Sequence, residues 1–221
     1  MDLLGIALSK SGIGQVICRL KDRLFFVAHF VRTFIRKIVR DRAIEGLPSR
    51  TYLQTVLLPD LAAAGCQRML FVGVRSYNLA FYRHCEALKI AVWIIDSDPT
   101  AAEYGAPNGH FIGDVRQICA LTAGLTFDVI IFNGILGFGI NTAQDAIAAF
   151  DAMAKVAEPN SLILIGWNPG LTEGREIAAL RPRLKPALLG SVSADIEFPA
   201  HGRTQRYPHR YEIFTFGEEK L

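Results

Sequence analysis

Along the first part of the chain the apolar positions Leu24, Val27, Ala28, Val31, Phe34, Ile35 and Ile38 recur at intervals of three and four, with basic residues between them. That spacing predicts an amphipathic helix, and helical character is expected across residues 1–46. Gly46-Leu47-Pro48-Ser49 then punctuates the chain, and a short helix is expected over about Thr51–Ala64, closed by Gly65. From residue 68 the pattern changes to short apolar runs: Met69–Val74, Ala91–Ile95, His110–Ile112, Phe127–Phe132 and Ser161–Trp167. Between and around them lie helix signals at about Asn78–Leu88, Thr100–Tyr104, Val115–Ala123, Thr142–Val156 and Thr172–Leu180. The runs are continuous in Val, Ile, Leu and Phe and do not alternate with polar residues. Strands of that kind are buried on both faces, as in a parallel sheet between helices. Two further strands are expected near Leu189–Glu197 and at Arg210–Phe216, separated by the Pro-, Gly-, Arg- and His-rich loop Pro199–Pro208.

Length and composition narrow this picture. The 221 residues, 51% hydrophobic and 20% charged, suit one domain with an appendage and exclude a mainly disordered chain. The longest N-terminal apolar run, Leu24–Val31, falls well short of the roughly 20 residues of a membrane span. No basic stretch precedes the apolar residues at the start, so a signal peptide is not expected and a cytoplasmic location is. Cys18, Cys66, Cys85 and Cys119 are scattered, which fits buried thiols rather than disulfides or zinc. The formal charge of +3 conceals a split. Residues 1–50 hold ten Lys and Arg against four Asp and Glu, a net +6, and the remainder is −3. The chain therefore divides into a basic helical extension, 1–50, and a mildly acidic body, 51–221.

In an open α/β sheet ligands bind outside the carboxyl ends of the strands, where strand order reverses. The first strand runs into Gly73-Val74-Arg75-Ser76-Tyr77, where a glycine lets backbone approach a ligand or simply makes a tight turn. The second ends in Asp96-Ser97-Asp98. Asp96 lies 23 residues beyond Gly73, a spacing suited to a carboxylate that accepts from a ribose diol. Its other reading, a helix N-cap, suits Asp98 better. The third strand ends in Gly113-Asp114-Val115 and the fourth in Asn133-Gly134. Four consecutive strands thus end in Gly, Asp or Asn at one edge.

These segments, in this order and spacing, resemble the class I S-adenosylmethionine-dependent methyltransferases over about residues 51–217. MLFVGVRSY resembles the first motif, IIDSDP the second, GDV the third and FDVIIFNGILGFG the fourth, with Glu158-Pro159-Asn160-Ser161-Leu162 before the fifth strand. The resemblance implies a Rossmann-like three-layer sandwich whose mostly parallel, seven-stranded sheet has a reversed last strand. It further implies S-adenosylmethionine as cofactor, bound by Gly73, Val74, Arg75, Tyr77, Asp96, Ser97, Gly113, Asp114, Val115 and Asn133. Asp96 would hold the ribose hydroxyls and Asp114 the adenine amino group. The first motif departs from the family: Phe71 stands for its acid, and Arg75 and Tyr77 for its second and third glycines. Arg75 would then pair with the methionine carboxylate of the cofactor. Alternatively these side chains close the pocket, and the protein is a non-catalytic binding or scaffold relative. An NAD(P)-binding protein is the third reading, although only one glycine of its fingerprint is present.

Methyl transfer chiefly requires positioning of the acceptor, and a base only where the acceptor must lose a proton. A small-molecule acceptor is expected beside Gly134, Trp167 and Asn168, with Trp167 either an aromatic wall or a cap on the core. His201 is the expected base, with His209 of the same late loop as a further candidate. The basic extension reads as a lid, as a membrane-surface helix, or as a helix packed on the body or on a second copy in a homodimer. Nucleic acid is not an expected partner, because the body is net negative.

Overall fold

The computed structural model describes residues 29–172, 174–190 and 195–217. The chain divides into two units, Met1–Arg42 and Ala43–Leu221. The division falls ahead of the expected 50/51 boundary. Residues 29–45 are helical (α1), and in its first unit the apolar side chains Phe30, Val31, Phe34, Ile35, Ile38 and Val39 are exposed, with the Phe30 and Phe34 rings stacked at 6.4 Å. Helical character expected for 1–28, and Cys18, lie outside the described residues. Among the described residues no helix is long and apolar enough to cross a membrane.

In the second unit α2 (Pro48–Tyr52) passes through a π-helical turn, Leu53–Leu57, into α3 (Leu58–Ala63). Pro59 has no N–H to bond back to the preceding turn, and the wider π turn just before it absorbs the missing bond. The sheet strands are β1 (Arg68–Val72), β2 (Ala91–Asp96), β3 (Gly109–Ile112), β4 (Phe127–Asn133), β5 (Ala157–Trp167), β6 (Leu184–Pro186), β7 (Asp195–Phe198) and β8 (His209–Phe216). Their order is β3-β2-β1-β4-β5-β8-β6, with β7 also paired to β8. β1 to β5 run parallel, and β8 runs against β5, β6 and β7. The helices between strands are α4 (Leu79–Ala87), α5 (Ile118–Leu121), α6 (Ala143–Val156) and α7 (Arg175–Leu180).

Alternate residues of the central strands face opposite layers. Leu70, Val72, Ile130, Phe132, Ile163 and Ile165 pack with Phe150 and Met153 of α6. Met69, Phe71, Val129, Ile131 and Leu164 pack with Leu53, Leu57, Leu61 and Phe81 on the other side. Aromatic pairs lock each layer: Phe71 meets Phe81 edge-on at 5.0 Å, and Phe132 meets Phe150 at 5.1 Å. This is the expected three-layer α/β sandwich; among the described residues seven strands follow one path across the sheet and β7 pairs beside them with β8.

The extra strand arises where one strand was expected near Leu189–Glu197. Here β6 and β7 pair with different halves of β8. Other differences are local. Gly174, at φ +75°, delays the helix expected from Thr172 until Arg175. The stretch 115–123 is a 3₁₀ turn, Val115–Gln117, followed by the single-turn α5. Cys66 and Cys85 are buried, and burial pushes their thiols up to about 11 and about 12, whereas Cys119 is exposed rather than buried.

The reversed strand is anchored by Glu212, whose buried carboxylate accepts from Trp167 Nε1 at 2.9 Å and from Arg181. Arg181→Met leaves that carboxylate with one partner, and the expected loss is about 1–3 kcal/mol of stability. A second substitution, Glu212→Gln, should restore part of it, since a neutral amide costs less to bury. Urea denaturation midpoints of the three proteins check both signs.

Candidate functional site

From β1 the parallel strands are added outward through β2 to β3 on one side and through β4 to β5 on the other, so strand order reverses between β1 and β4. A cavity of about 550 Å3 opens there, at the carboxyl ends of the parallel strands. Its size falls within the roughly 300–1,000 Å3 typical of small-molecule sites.

One half of the cavity is built by the ends of β1, β2 and β3. Gly73 follows β1 at φ +79°, a conformation that favours glycine, and a Cβ there would stand 2.5 Å from Ile135 Cδ1 and displace that terminal methyl. Asp96, at the end of β2, is only 7% exposed. Its Oδ2 accepts from the Val74 N–H at 2.8 Å and from Arg75 at 2.9 Å, and its Oδ1 accepts from the Asp98 N–H at 2.9 Å. The carboxylate therefore ties the loop after β1 to the end of β2. Asp98 takes the helix-capping role, accepting from the Thr100 N–H at 2.9 Å, which leaves Asp96 to the cavity. Asp114 accepts from the Arg116 N–H at 2.8 Å and pairs with the Arg116 guanidinium, which holds its carboxyl below the ordinary carboxylate range.

The other half is built by the ends of β4 and β5, the start of β8, residues 44–50 and the hairpin at 201–205. Gly134, at φ +70°, has open space where a side chain would stand. Asn168 donates from Nδ2 to the Pro208 carbonyl at 2.9 Å, fixing the loop that leads into β8. Ser49 and Gln205 meet at 3.4 Å, which joins the start of α2 to the hairpin, and the Arg50 guanidinium lies 4.7 Å over the Tyr77 ring.

Two buried polar side chains of this half have no hydrogen-bond partner among the described residues. They are the Asn133 amide, 7% exposed, and His209 Nε2, in a residue 8% exposed. Behind them the Tyr211 hydroxyl is buried as well; burial pushes it up to about 12, against the lowering effects of Arg50 and the nearby Asn133 amide. No well-formed hydrogen bond joins Asn133 to Tyr211. Burial, with the Arg50 charge adding to it, pushes His209 down to about 3, so its imidazole is neutral near pH 7.

Of the residues singled out in the sequence, Gly73, Val74, Arg75, Tyr77, Asp96, Ser97, Gly113, Asp114, Val115, Asn133, Gly134 and Asn168 all line this cavity. Two do not. His201 is exposed in the hairpin, bridged by backbone to Gln205, and lies outside the lining. The expected base is thus displaced from the site, and His209 is the late-loop histidine that reaches it. Trp167 is buried with its indole N–H on Glu212, so it caps the core and forms no wall of the cavity. Arg75 pairs with Asp96 rather than standing free for a carboxylate of the cofactor. Phe71, in place of the first-motif acid, faces the core and is absent from the lining, so the departures from the motif leave the cavity open. Arg50, Arg116, Arg203, Gln205 and Arg206 also line it and were not anticipated. A signal for the hairpin residues did exist: a reversed last strand begins where its parallel neighbours end, which places the preceding loop at the ligand edge.

No family model matches the chain, and no curated protein does. Solved structures do. The N-methyltransferase NodS of Bradyrhizobium japonicum is similar at a TM-score of 0.57 and 16% identity, over 79% of this chain and 99% of that one. The 1,6-didemethyltoxoflavin-N1-methyltransferase of Burkholderia thailandensis, solved with 1,6-didemethyltoxoflavin and S-adenosylhomocysteine bound, is similar at 0.51 and 13% identity, over 91% and 88%. A TehB-like S-adenosylmethionine-dependent methyltransferase of Corynebacterium glutamicum gives 0.50 and 18%, over 77% and 100%.

The neutral His209 carries a stability consequence. Its folded value of about 3 lies below the ordinary 6.5, so the unfolded chain binds the proton more readily. Stability contributed by this group is complete above about pH 6.5 and is lost as pH falls toward 3. Between pH 7 and pH 4.5 the native protein should lose about 2 kcal/mol more than His209→Gln does, as read by denaturation at the two pH values.

Proposed function

We propose that this chain, which has the fold of the class I S-adenosylmethionine-dependent methyltransferases, binds S-adenosylmethionine and transfers its methyl group to a small-molecule acceptor. The observation that carries the reading is the open cavity at the order reversal, with the buried Asp96 carboxylate in its wall. The residues fit the cofactor. Gly73 and Gly134 let backbone approach a ligand, and Asp96 supplies a fixed acceptor for hydroxyl groups. The orphaned Asn133 amide offers both a donor and an acceptor.

When bound, the cofactor supplies an activated methyl group on a sulfonium leaving group. The chain's part is positioning and exclusion of water. Asp96 holds the loop after β1 through Val74 and presents its remaining lone-pair capacity to the ribose hydroxyls. Arg75, whose side chain is mostly exposed, has to lift from Asp96 to free more of it. Leu47, Phe138 and Ile140 form the apolar wall of the acceptor half, and Asn133 and His209 its polar floor. His209 Nε2 serves as a neutral hydrogen-bonding atom. With its proton affinity depressed by burial it is not a proton reservoir at neutral pH.

The Arg75–Asp96 pair favours a second reading, a non-catalytic relative in which this ion pair takes the ribose position. Calorimetry separates the two. S-adenosylhomocysteine should bind, and Asp96→Asn should weaken it roughly tenfold to hundredfold, the worth of a charge-assisted hydrogen bond. Heat from NADH and none from S-adenosylhomocysteine would overturn the cofactor assignment. Silence from both favours the second reading.

A further inference from the structure

The charges lining the cavity do not balance. Its acids are Asp96 and Asp114, and each is already paired, with Arg75 and Arg116. Three more arginines, Arg50, Arg203 and Arg206, line the acceptor half, and none has an acidic partner among the described residues. Arg50 is half-buried on the Tyr77 ring, which fixes its guanidinium in place. Arg203 and Arg206 project from the hairpin that Gln205 pins to Ser49. The same half is lined by Asn133 and His209, both more than nine-tenths buried and both with polar atoms that meet no partner among the described residues. Cations without acidic partners lining one cavity with unsatisfied buried polar groups make a built anion site, since each buried polar group left unpaired costs about 1–3 kcal/mol. The apolar lining, including the exposed Phe138 and Tyr207 at the rim, suits a flat hydrocarbon body behind the charge.

We propose that the acceptor is an organic anion, an apolar body bearing a carboxylate or phosphate, held through that group by Arg50, Arg203 and Arg206. Guanidinium groups match both anions with paired N–H donors. The proposal deepens the methyltransferase reading, resting on it for the word acceptor but not for the anion site.

The test is calorimetry on the full chain, with and without saturating S-adenosylhomocysteine, using benzoate, phenyl phosphate, benzamide and inorganic phosphate as probes. Benzoate or phenyl phosphate should bind in the millimolar range, and benzamide, the neutral analogue of benzoate, about tenfold more weakly or worse. Binding should weaken as salt rises. Arg203→Gln/Arg206→Gln, two exposed positions whose replacement leaves the core intact, should reduce anion affinity about tenfold or more. Preference for benzoate identifies a carboxylate acceptor, and preference for phenyl phosphate a phosphate. Equal binding by benzamide, unchanged anion affinity in the double variant, or no binding by either aryl anion at millimolar concentration overturns the proposal. Inorganic phosphate binding as tightly as phenyl phosphate overturns the apolar body. Failure of S-adenosylhomocysteine to bind counts against the cofactor reading alone, because the anion titration stands without it.

Discussion

Burial of the parallel sheet on both faces constrains everything else in this protein. Once α2, α3 and α4 cover one face of β1, β4 and β5 and α6 covers the other, no side chain in the strand bodies can meet a ligand. Chemistry is confined to strand ends, and only at the reversal between β1 and β4 do the connections leave to opposite sides and open a crevice. The same constraint explains why Phe71 can stand where the resembling family has an acid. One residue before the strand end, its side chain already belongs to the core, against Phe81.

Within the crevice, Asp96 is the organising charge of one half. A carboxylate buried to this degree needs several donors. It receives two backbone N–H groups, from Val74 and Asp98, and one guanidinium. The backbone donors come from two different strand ends, so the carboxylate fixes their relative position before any ligand arrives. Of the three donors only the guanidinium belongs to an exposed side chain, so exchanging it for hydroxyl groups costs little desolvation. Arg75 thus reads as a replaceable partner of Asp96, with the fixed geometry left to the main chain.

The sheet was legible in the sequence because buried strands announce themselves as unbroken runs of Val, Ile, Leu and Phe. Phe127–Phe132 and Ala91–Ile95 lie inside β4 and β2 with errors of a residue or so. The edge followed from the same runs: Asp96 and Asn133 come immediately after theirs, Gly73 falls at the next-to-last position of the first, and Asp114 follows the third after one glycine. Residues brought to the cavity by tertiary packing were not legible. Arg50 sits in a polar break before a helix, and Arg203 and Arg206 sit in a loop whose composition suggests only a turn. His201 and His209 look alike in the sequence, eight positions apart, and only the start of β8 separates an exposed histidine from a buried one. Trp167-Asn168 shows the same limit: one residue caps the core and its neighbour lines the cavity, because the strand ends between them.

Charge and polarity in the half of the cavity built by β4, β5 and the start of β8 are coupled through Arg50. Its guanidinium adds to burial in keeping His209 neutral, since an imidazolium would face a like charge in a site of low polarity. The same guanidinium, stacked on Tyr77, points the half toward an anion. A neutral His209 can donate from one ring nitrogen and accept at the other, and Asn133 can do both through its amide. The floor is therefore neutral while the rim is cationic. On the proposed reading, long-range attraction from the arginines draws the negative group of the acceptor to them. An imidazolium at His209 would add a further positive charge beside Arg50, so its neutrality leaves the charge to the arginines while Asn133 and His209 supply hydrogen bonds alone.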